Sequence, residues 1–240
     1  RGLIGDEPPH ETVPDAARDY LTEVRQVQPK GPYLLAGYSG GGITAYEMAQ
    51  QLRDAGEEVA VLAMLDTPLP LRPPLQAQDK ALIKLQQIRE AGPRYALDWF
   101  RERRAWKRLQ EERELTGSDA PAPGGAEFNN RKMEDAFIAA TSRYAPPRWE
   151  GPITLFRPPL ERRWKGAEGR WISSERQYVW PDNGWRAHAP RVEVIEVPGD
   201  HDSMVLTPNV TVLAQELAEV IRTALDGAQG AASSRTTAAE

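Results

Sequence analysis

Apolar residues recur at helical spacing through Val13, Ala16, Ala17, Tyr20, Leu21, Val24 and Val27, the repeat of an amphipathic helix. Thr12 and Asp15 are placed as a capping box and Pro14 falls in the first turn, so a helix is predicted from about Thr12 to near Pro29. The period then changes. Tyr33-Leu34-Leu35-Ala36, bounded by Gly31-Pro32 and Gly37, is a short apolar run that predicts a strand buried on both faces. After Gly40-Gly41-Gly42 the helical spacing returns at Ala45, Met48, Ala49 and Leu52 and stops at Gly56, a residue suited to the left-handed position after a helix. Val59 to Leu65 is a second wholly apolar strand.

Strand, helix and strand in this order form a βαβ unit, which implies a parallel sheet with a right-handed crossover. Ile153-Thr154-Leu155-Phe156 and the run Val192 to Val197 add two more strands, and Val210, Leu213, Ala214, Leu217, Val220, Ile221 and Leu225 trace a closing helix. Between them, from about 75 to 145, the strand–helix rhythm breaks into two or three helices with a Pro/Gly-rich joint at 120–125, which predicts an inserted helical layer. The Gly, Ala, Ser and Thr residues of 226–240 predict a disordered tail or linker. The expected organisation is therefore one α/β domain over 1–225, with a helical insertion and a tail.

Composition narrows the chemistry. With 240 residues the chain can bury one large core. A net charge of −5 provides no basic field for a polyanion, so nucleic acid is not expected as a partner. Cysteine is absent, which removes disulfides, thiolate metal sites and a cysteine nucleophile together. No apolar stretch reaches the length of a membrane span, and no basic head precedes an apolar run, so a cytoplasmic protein without a membrane partner is expected.

Gly37-Tyr38-Ser39-Gly40-Gly41 fits G-x-S-x-G, in which a serine sits on a strained strand-to-helix turn. A side chain two residues before or after the serine is expected to collide with the neighbouring strand or helix. The motif stands after an apolar strand and before a helix, the setting it requires. A glycine-rich turn that binds phosphate is the bland alternative. A serine hydroxyl needs a base, usually histidine, held by a carboxylate. Of three histidines, His201 follows the strand ending at Val197 and precedes the last helix, which puts it at the carboxyl edge of the sheet; His10 and His188 stand in less suitable places. Asp66 directly follows the strand Val59 to Leu65 and is the expected carboxylate. Glu161 competes from the next strand, while Asp200 and Asp202 are too near His201 in sequence to be favoured. The backbone N–H of Gly40 is one expected oxyanion donor.

The segments Gly31-Pro32-Tyr33-Leu34-Leu35-Ala36-Gly37-Tyr38-Ser39-Gly40-Gly41, Leu65-Asp66-Thr67, Ile153-Thr154-Leu155-Phe156 and Gly199-Asp200-His201 resemble the thioesterase domains of polyketide and nonribosomal-peptide synthases. The likeness runs from about Gly2 to Leu225. It implies an α/β-hydrolase fold with a mostly parallel sheet and a helical lid, and a triad of Ser39, Asp66 and His201, which favours Asp66 over Glu161. It implies no bound cofactor. The substrate would arrive on the phosphopantetheine of an acyl or peptidyl carrier protein or domain, and the lid would offer a surface for a homodimer.

About thirty residues precede Tyr33 and read mainly as helix, so against that resemblance the first strands of the fold are expected to be missing. The strand at Tyr33 would then have an unpaired edge and the oxyanion hole would lack its second donor. The chain alone is accordingly expected to be inactive or weakly active. Within the insertion, Arg101, Arg103, Arg104, Lys107 and Arg108 share a predicted helix with Trp99, Phe100 and Trp106. A basic face for an acidic carrier is one reading; a charge-laced solvated face, given Glu102, Glu111, Glu112 and Glu114, is the other. Trp164, Trp171, Trp180 and Trp185 are expected to pack a long irregular stretch, with lining of a substrate chamber as the lesser alternative. An esterase acting on diffusible esters and a hydrolase fold that only binds are the competing functions.

Overall fold

A computed structural model describes residues 7–91, 104 and 130–237. They contain helices α1 (Val13–Val27), α2 (Gly40–Asp54), α3 (Ala77–Ala91), α4 (Asn130–Ser142) and α5 (Val210–Thr237), with strands β1 (Tyr33–Tyr38), β2 (Val59–Leu65), β3 (Ile153–Arg157), β4 (Trp164–Lys165), β5 (Trp171–Ile172) and β6 (Val192–Glu196). The described residues form two compact units, one from those within 1–72, 129–160 and 180–240, the other from those within 73–128 and 161–179.

The larger unit is built on a four-stranded sheet in the order β1-β2-β3-β6, every pair parallel. Parallel strands need crossovers, and α2 supplies the one between β1 and β2. One core contains α1 and α2, through Val13, Ala17, Leu21, Ile43, Tyr46, Ala49 and Leu52, with Leu62, Met64 and Leu155 of the sheet. A second core sets Leu213 of α5 with Val61, Ala63 and Phe156. Adjacent strand residues point to opposite faces, so Leu62 and Ala63 fall in different cores.

Local chemistry explains the ends of these elements. Thr12 Oγ1 accepts from the Asp15 N–H at 3.2 Å and begins α1, which satisfies one of the helix's otherwise free donors. Gly56, at φ 76°, ends the turn after α2.

Three expectations change. β1 is at the sheet edge among the described residues, as expected, but it is not buried on both faces: Tyr33 and Leu35 are buried whereas Leu34 is 42% exposed. The insertion is not one layer, because α4 belongs to the larger unit. Ala140 and Tyr144 enter its core, and the Tyr144 hydroxyl donates to Glu47 Oε2 on α2 at 2.7 Å. The helix predicted to carry Arg101, Arg103, Lys107 and Arg108 lies, Arg104 apart, outside the described residues, as does the joint at 120–125. Finally, 226–237 continue α5 as helix where a disordered tail or linker was predicted. Extending an existing helix avoids the cost of nucleating one, so a segment too weak to start a helix can still prolong it.

The smaller unit has its own buried residues, Leu75, Ile83, Trp164 and Ile172, and the antiparallel pair β4–β5. Asp79 accepts from the Tyr178 hydroxyl at 2.5 Å and from the Ala167 N–H at 2.7 Å. These bonds, the tyrosine's first, hold the Asp79 carboxyl below its ordinary range and raise Tyr178. Trp171 of the same unit is 38% exposed, so the tryptophans do not share one packing role. No helix among the described residues is long and apolar enough to cross a membrane.

Candidate active site

Ser39 stands between the end of β1 and the start of α2. Its N–H is held by Leu65 O at 2.8 Å, the last carbonyl of β2. The chain must reverse from strand to helix within one residue, and Ser39 does so at φ 51°, ψ −127°. A non-glycine residue at positive φ costs of order 1–3 kcal/mol, which the packed elements on either side sustain. The glycines have unequal parts in this turn. A Cβ on Gly37 would lie 2.4 Å from Gly41 O, and one on Gly42 would lie 1.9 Å from Thr67 Oγ1. Gly41, by contrast, has nothing within 4 Å of that position. The expected collision therefore holds before the serine and fails two residues after it; the close contact falls one residue later, where the helix meets Thr67.

The sheet register brings the other two residues to the same edge. Tyr38 pairs with Leu65, and Leu65 with Phe156, so Asp66 emerges just past β2 beside the Ser39 turn. Asp66 also has positive φ, 42°, and its N–H donates to Phe156 O at 2.7 Å. His201 arrives from the loop after β6. There Gly199 has φ 104°, and Asp200 Oδ1 accepts from the Ser203 N–H and hydroxyl at 2.8 and 2.7 Å.

His201 Nε2 lies 3.1 Å from Ser39 Oγ, and His201 Nδ1 lies 2.8 Å from Asp66 Oδ2. The serine, imidazole and carboxylate thus form one hydrogen-bonded chain. The Asp66 side chain is 16% exposed and that of His201 44% exposed, so the imidazole is open to solvent while the carboxylate is largely covered. Gly40 is the first residue of α2, where backbone N–H groups have no partner within the helix and the helix end carries partial positive charge. Such a group can meet a developing oxyanion.

The other candidates are engaged elsewhere. His10 Nε2 pairs with Asp19 Oδ2 at 2.8 Å. The His188 carbonyl accepts from the Trp149 N–H, and its ring lies edge-on to Trp185 at 6.5 Å. Glu161 Oε2 accepts from the Ser174 hydroxyl at 2.6 Å, within the smaller unit. Among the described residues no group of three or more His, Cys, Asp or Glu side chains is arranged to hold a metal ion.

The sequence model of the Thioesterase domain family matches residues 1–146, more than half the chain. The chain belongs to that family. Within larger curated proteins the thioesterase domain is 30% identical over 216 residues to the non-reducing polyketide synthase atnG of Arthrinium sp, covering 85% of this chain and 10% of that protein. It is 50% identical over 66 residues to the dimodular nonribosomal peptide synthase of Bacillus subtilis (strain 168), or 28% of this chain and 3% of the other. The chain spans a tenth or less of the length of these relatives. Among solved structures it is similar to the NocB thioesterase domain in covalent complex with a fluorophosphonate nocardicin G analogue, with TM-score 0.53 and 23% identity over 92% of this chain and 78% of that one. The RedJ thioesterase of Streptomyces coelicolor gives 0.52 and 21% over 92% and 76%. The fold is that of the α/β hydrolases.

Four residues of the thioesterase domain's site were not singled out from sequence for the places they hold. Asn183 donates through Nδ2 to Asp66 Oδ1 at 2.9 Å, which occupies the carboxylate oxygen that His201 leaves free. Asn183 is 8% exposed and has φ 51°, a conformation asparagine tolerates better than most residues. Trp185, wholly buried, donates its indole N–H to Thr67 O at 2.9 Å, fixing the backbone just after Asp66. Tyr38 stacks on His201 with centroids 5.2 Å apart and donates its hydroxyl to His201 O at 2.7 Å. Burial first, then Asp202, Asp66 and Asp200, raise the Tyr38 hydroxyl above its ordinary pKa, which keeps it a donor. Phe137 of α4 crowds Gly40, since a Cβ there would lie 2.4 Å from Phe137 Cε1. The dipeptide Asn183-Gly184 is a turn signal, yet it does not name the carboxylate it meets.

Proposed function

We propose that this chain releases an acyl chain, of the polyketide or peptide kind, from the phosphopantetheine thioester of a carrier protein or domain, through a Ser39 acyl-enzyme. The observation that carries the reading is the unbroken line Ser39 Oγ–His201–Asp66, with contacts of 3.1 and 2.8 Å. Membership of the Thioesterase domain family and the synthase relatives support it.

His201 Nε2 takes the hydroxyl proton as Ser39 Oγ bonds to the thioester carbon, and the carbonyl oxygen takes the charge. Asp66 orients the imidazole and stabilises the imidazolium. The Gly40 N–H donates to the oxyanion, a kind of contact whose loss costs roughly 10²–10³ in rate. Collapse of the intermediate breaks the carbon–sulfur bond, and His201 returns the proton to the departing thiolate. Water, or a hydroxyl or amine of the acyl chain itself, then attacks the ester with His201 again as base. Water yields an acid; internal attack yields a ring.

The test compares an acyl pantetheine thioester with the oxygen ester of the same acyl group, using the purified protein. Faster consumption of the thioester, and its loss in Ser39→Ala, is the expected result. Preference for the oxygen ester would favour an esterase. Absence of both turnover and fluorophosphonate labelling would favour a fold that only binds.

A further inference from the structure

Both ring nitrogens of His201 are engaged, Nδ1 with Asp66 Oδ2 at 2.8 Å and Nε2 with Ser39 Oγ at 3.1 Å. Such bonds act in the plane of the imidazole and do not reach its faces. Tyr38 does. Its ring lies against the imidazole with centroids 5.2 Å apart and planes inclined by 26°, and its hydroxyl donates to His201 O at 2.7 Å. The tyrosine also packs against the core that contains Phe156, Val197 and Met204. Val197 and Met204 stand on either side of the segment that carries His201, so one core anchors both that segment and the ring beside it. Tyr38 is bonded directly to Ser39, and it therefore ties the nucleophile's turn to an imidazole 163 residues further along the chain.

We propose that Tyr38 is a positioning residue for His201: its hydroxyl fixes the backbone that carries the imidazole, and its ring face stabilises the imidazolium formed when Ser39 gives up its proton. The inference rests on reading Ser39 as the nucleophile and His201 as its base. An aromatic face carries partial negative charge and attracts a cation within about 6 Å of the ring centre, and the separation of 5.2 Å meets that condition. A neutral imidazole gains little from the same face. The ring therefore favours the charged state reached during attack over the resting state, which is the requirement for lowering a barrier. Asp66 at Nδ1, with Asp200 and Asp202 in the His201 segment, adds negative charge around the two rings. All three carboxylates stay in place when Tyr38 is changed.

The test reads the rate at which a fluorophosphonate labels Ser39 in the purified protein. In that reaction Ser39 Oγ bonds to phosphorus, fluoride departs and the proton passes to His201 Nε2, so the imidazolium forms without a thioester. Tyr38→Phe deletes the hydroxyl bond and should slow labelling about two- to tenfold. Replacing Tyr38 by phenylalanine with one, two and three ring fluorines then withdraws charge from the face while keeping its shape. The rate should fall stepwise, by about two- to fivefold in all, and Tyr38→Leu should match the trifluorinated protein. A role in packing alone gives no trend across the fluorinated series, and that series decides the matter even if Tyr38→Leu does not fold. Rates independent of fluorine number would overturn the part given to the ring; a Tyr38→Phe protein as fast as the wild type would overturn the part given to the hydroxyl. The expected trend with no thioester turnover would remove the thioesterase reading and leave this one, whereas turnover with no trend would do the reverse. A wild type that turns over thioesters but never labels would remove Ser39 as the nucleophile, and this proposal with it.

Discussion

The turn that presents Ser39 and the turn that presents Asn183 share a backbone angle, φ 51° in each, and meet the same hydrogen-bonded chain from opposite ends. They are held by opposite means. The first depends on missing side chains, since Gly37 and Gly42 leave space that the helix and Thr67 then occupy. The second depends on polar groups that are present. Asp182 accepts from the Gly184 and Arg186 N–H groups at 3.0 and 3.2 Å, Asn183 donates to Asp66, and Trp185 donates to Thr67 O. The difference teaches that strain can be sustained by steric exclusion or by satisfied donors, and that only the first leaves a compact trace in sequence.

Substitutions can break or sharpen this contrast. The largest effect belongs to Ser39→Ala, which should abolish fluorophosphonate labelling and lower kcat by roughly 10⁶. Asp66→Asn should come next. It keeps the shape of the link to His201 but favours the wrong imidazole tautomer, so kcat should fall by about 10⁴ with protein folded by circular dichroism. Asn183→Gly retains the backbone freedom at φ 51° and deletes only the donor to Asp66. Loss of a hydrogen bond to a charged group, about 1.5–3 kcal/mol, should lower kcat about ten- to a hundredfold with little change in KM. Full kcat in that variant would show that the second turn does not serve the chain at all.

Two smaller effects separate the glycines. Gly42→Ala places a Cβ against Thr67 and should cost about 1–3 kcal/mol of stability, read as a lower denaturant midpoint. Gly41→Ala enters open space within α2 and should raise stability by up to about 1 kcal/mol through helix propensity. Equal destabilisation by both would contradict the assignment of the close contact to Gly42.

Legibility follows the range of the interactions. The capping of α1 is a three-residue event, Thr12 to Asp15, and both participants can be read together. Ser39 is readable because the turn, the strand before it and the helix after it are contiguous. The alternation of burial along β1 was not, because whether a strand face is covered depends on which elements pack over it rather than on the run Tyr33 to Ala36 itself. The prolongation of α5 past Asp226 was missed for a related reason, since helix propagation draws on turns already formed upstream. Asn183 reaches Asp66 across 117 residues, and no local pattern marks that meeting.

The sequence by itself determined the parallel βαβ frame, the Ser39 turn, and the emergence of Asp66 and His201 after strands, since period, glycine placement and strand ends are local consequences of backbone sterics. Tertiary structure alone decided that Asn183 occupies the second oxygen of Asp66, that Gly42 rather than Gly41 needs to be small on the helix side, and that Phe137 fills the space Gly40 leaves. Each of these is a contact between elements far apart along the chain, and packing, which depends on distance in space, selects them.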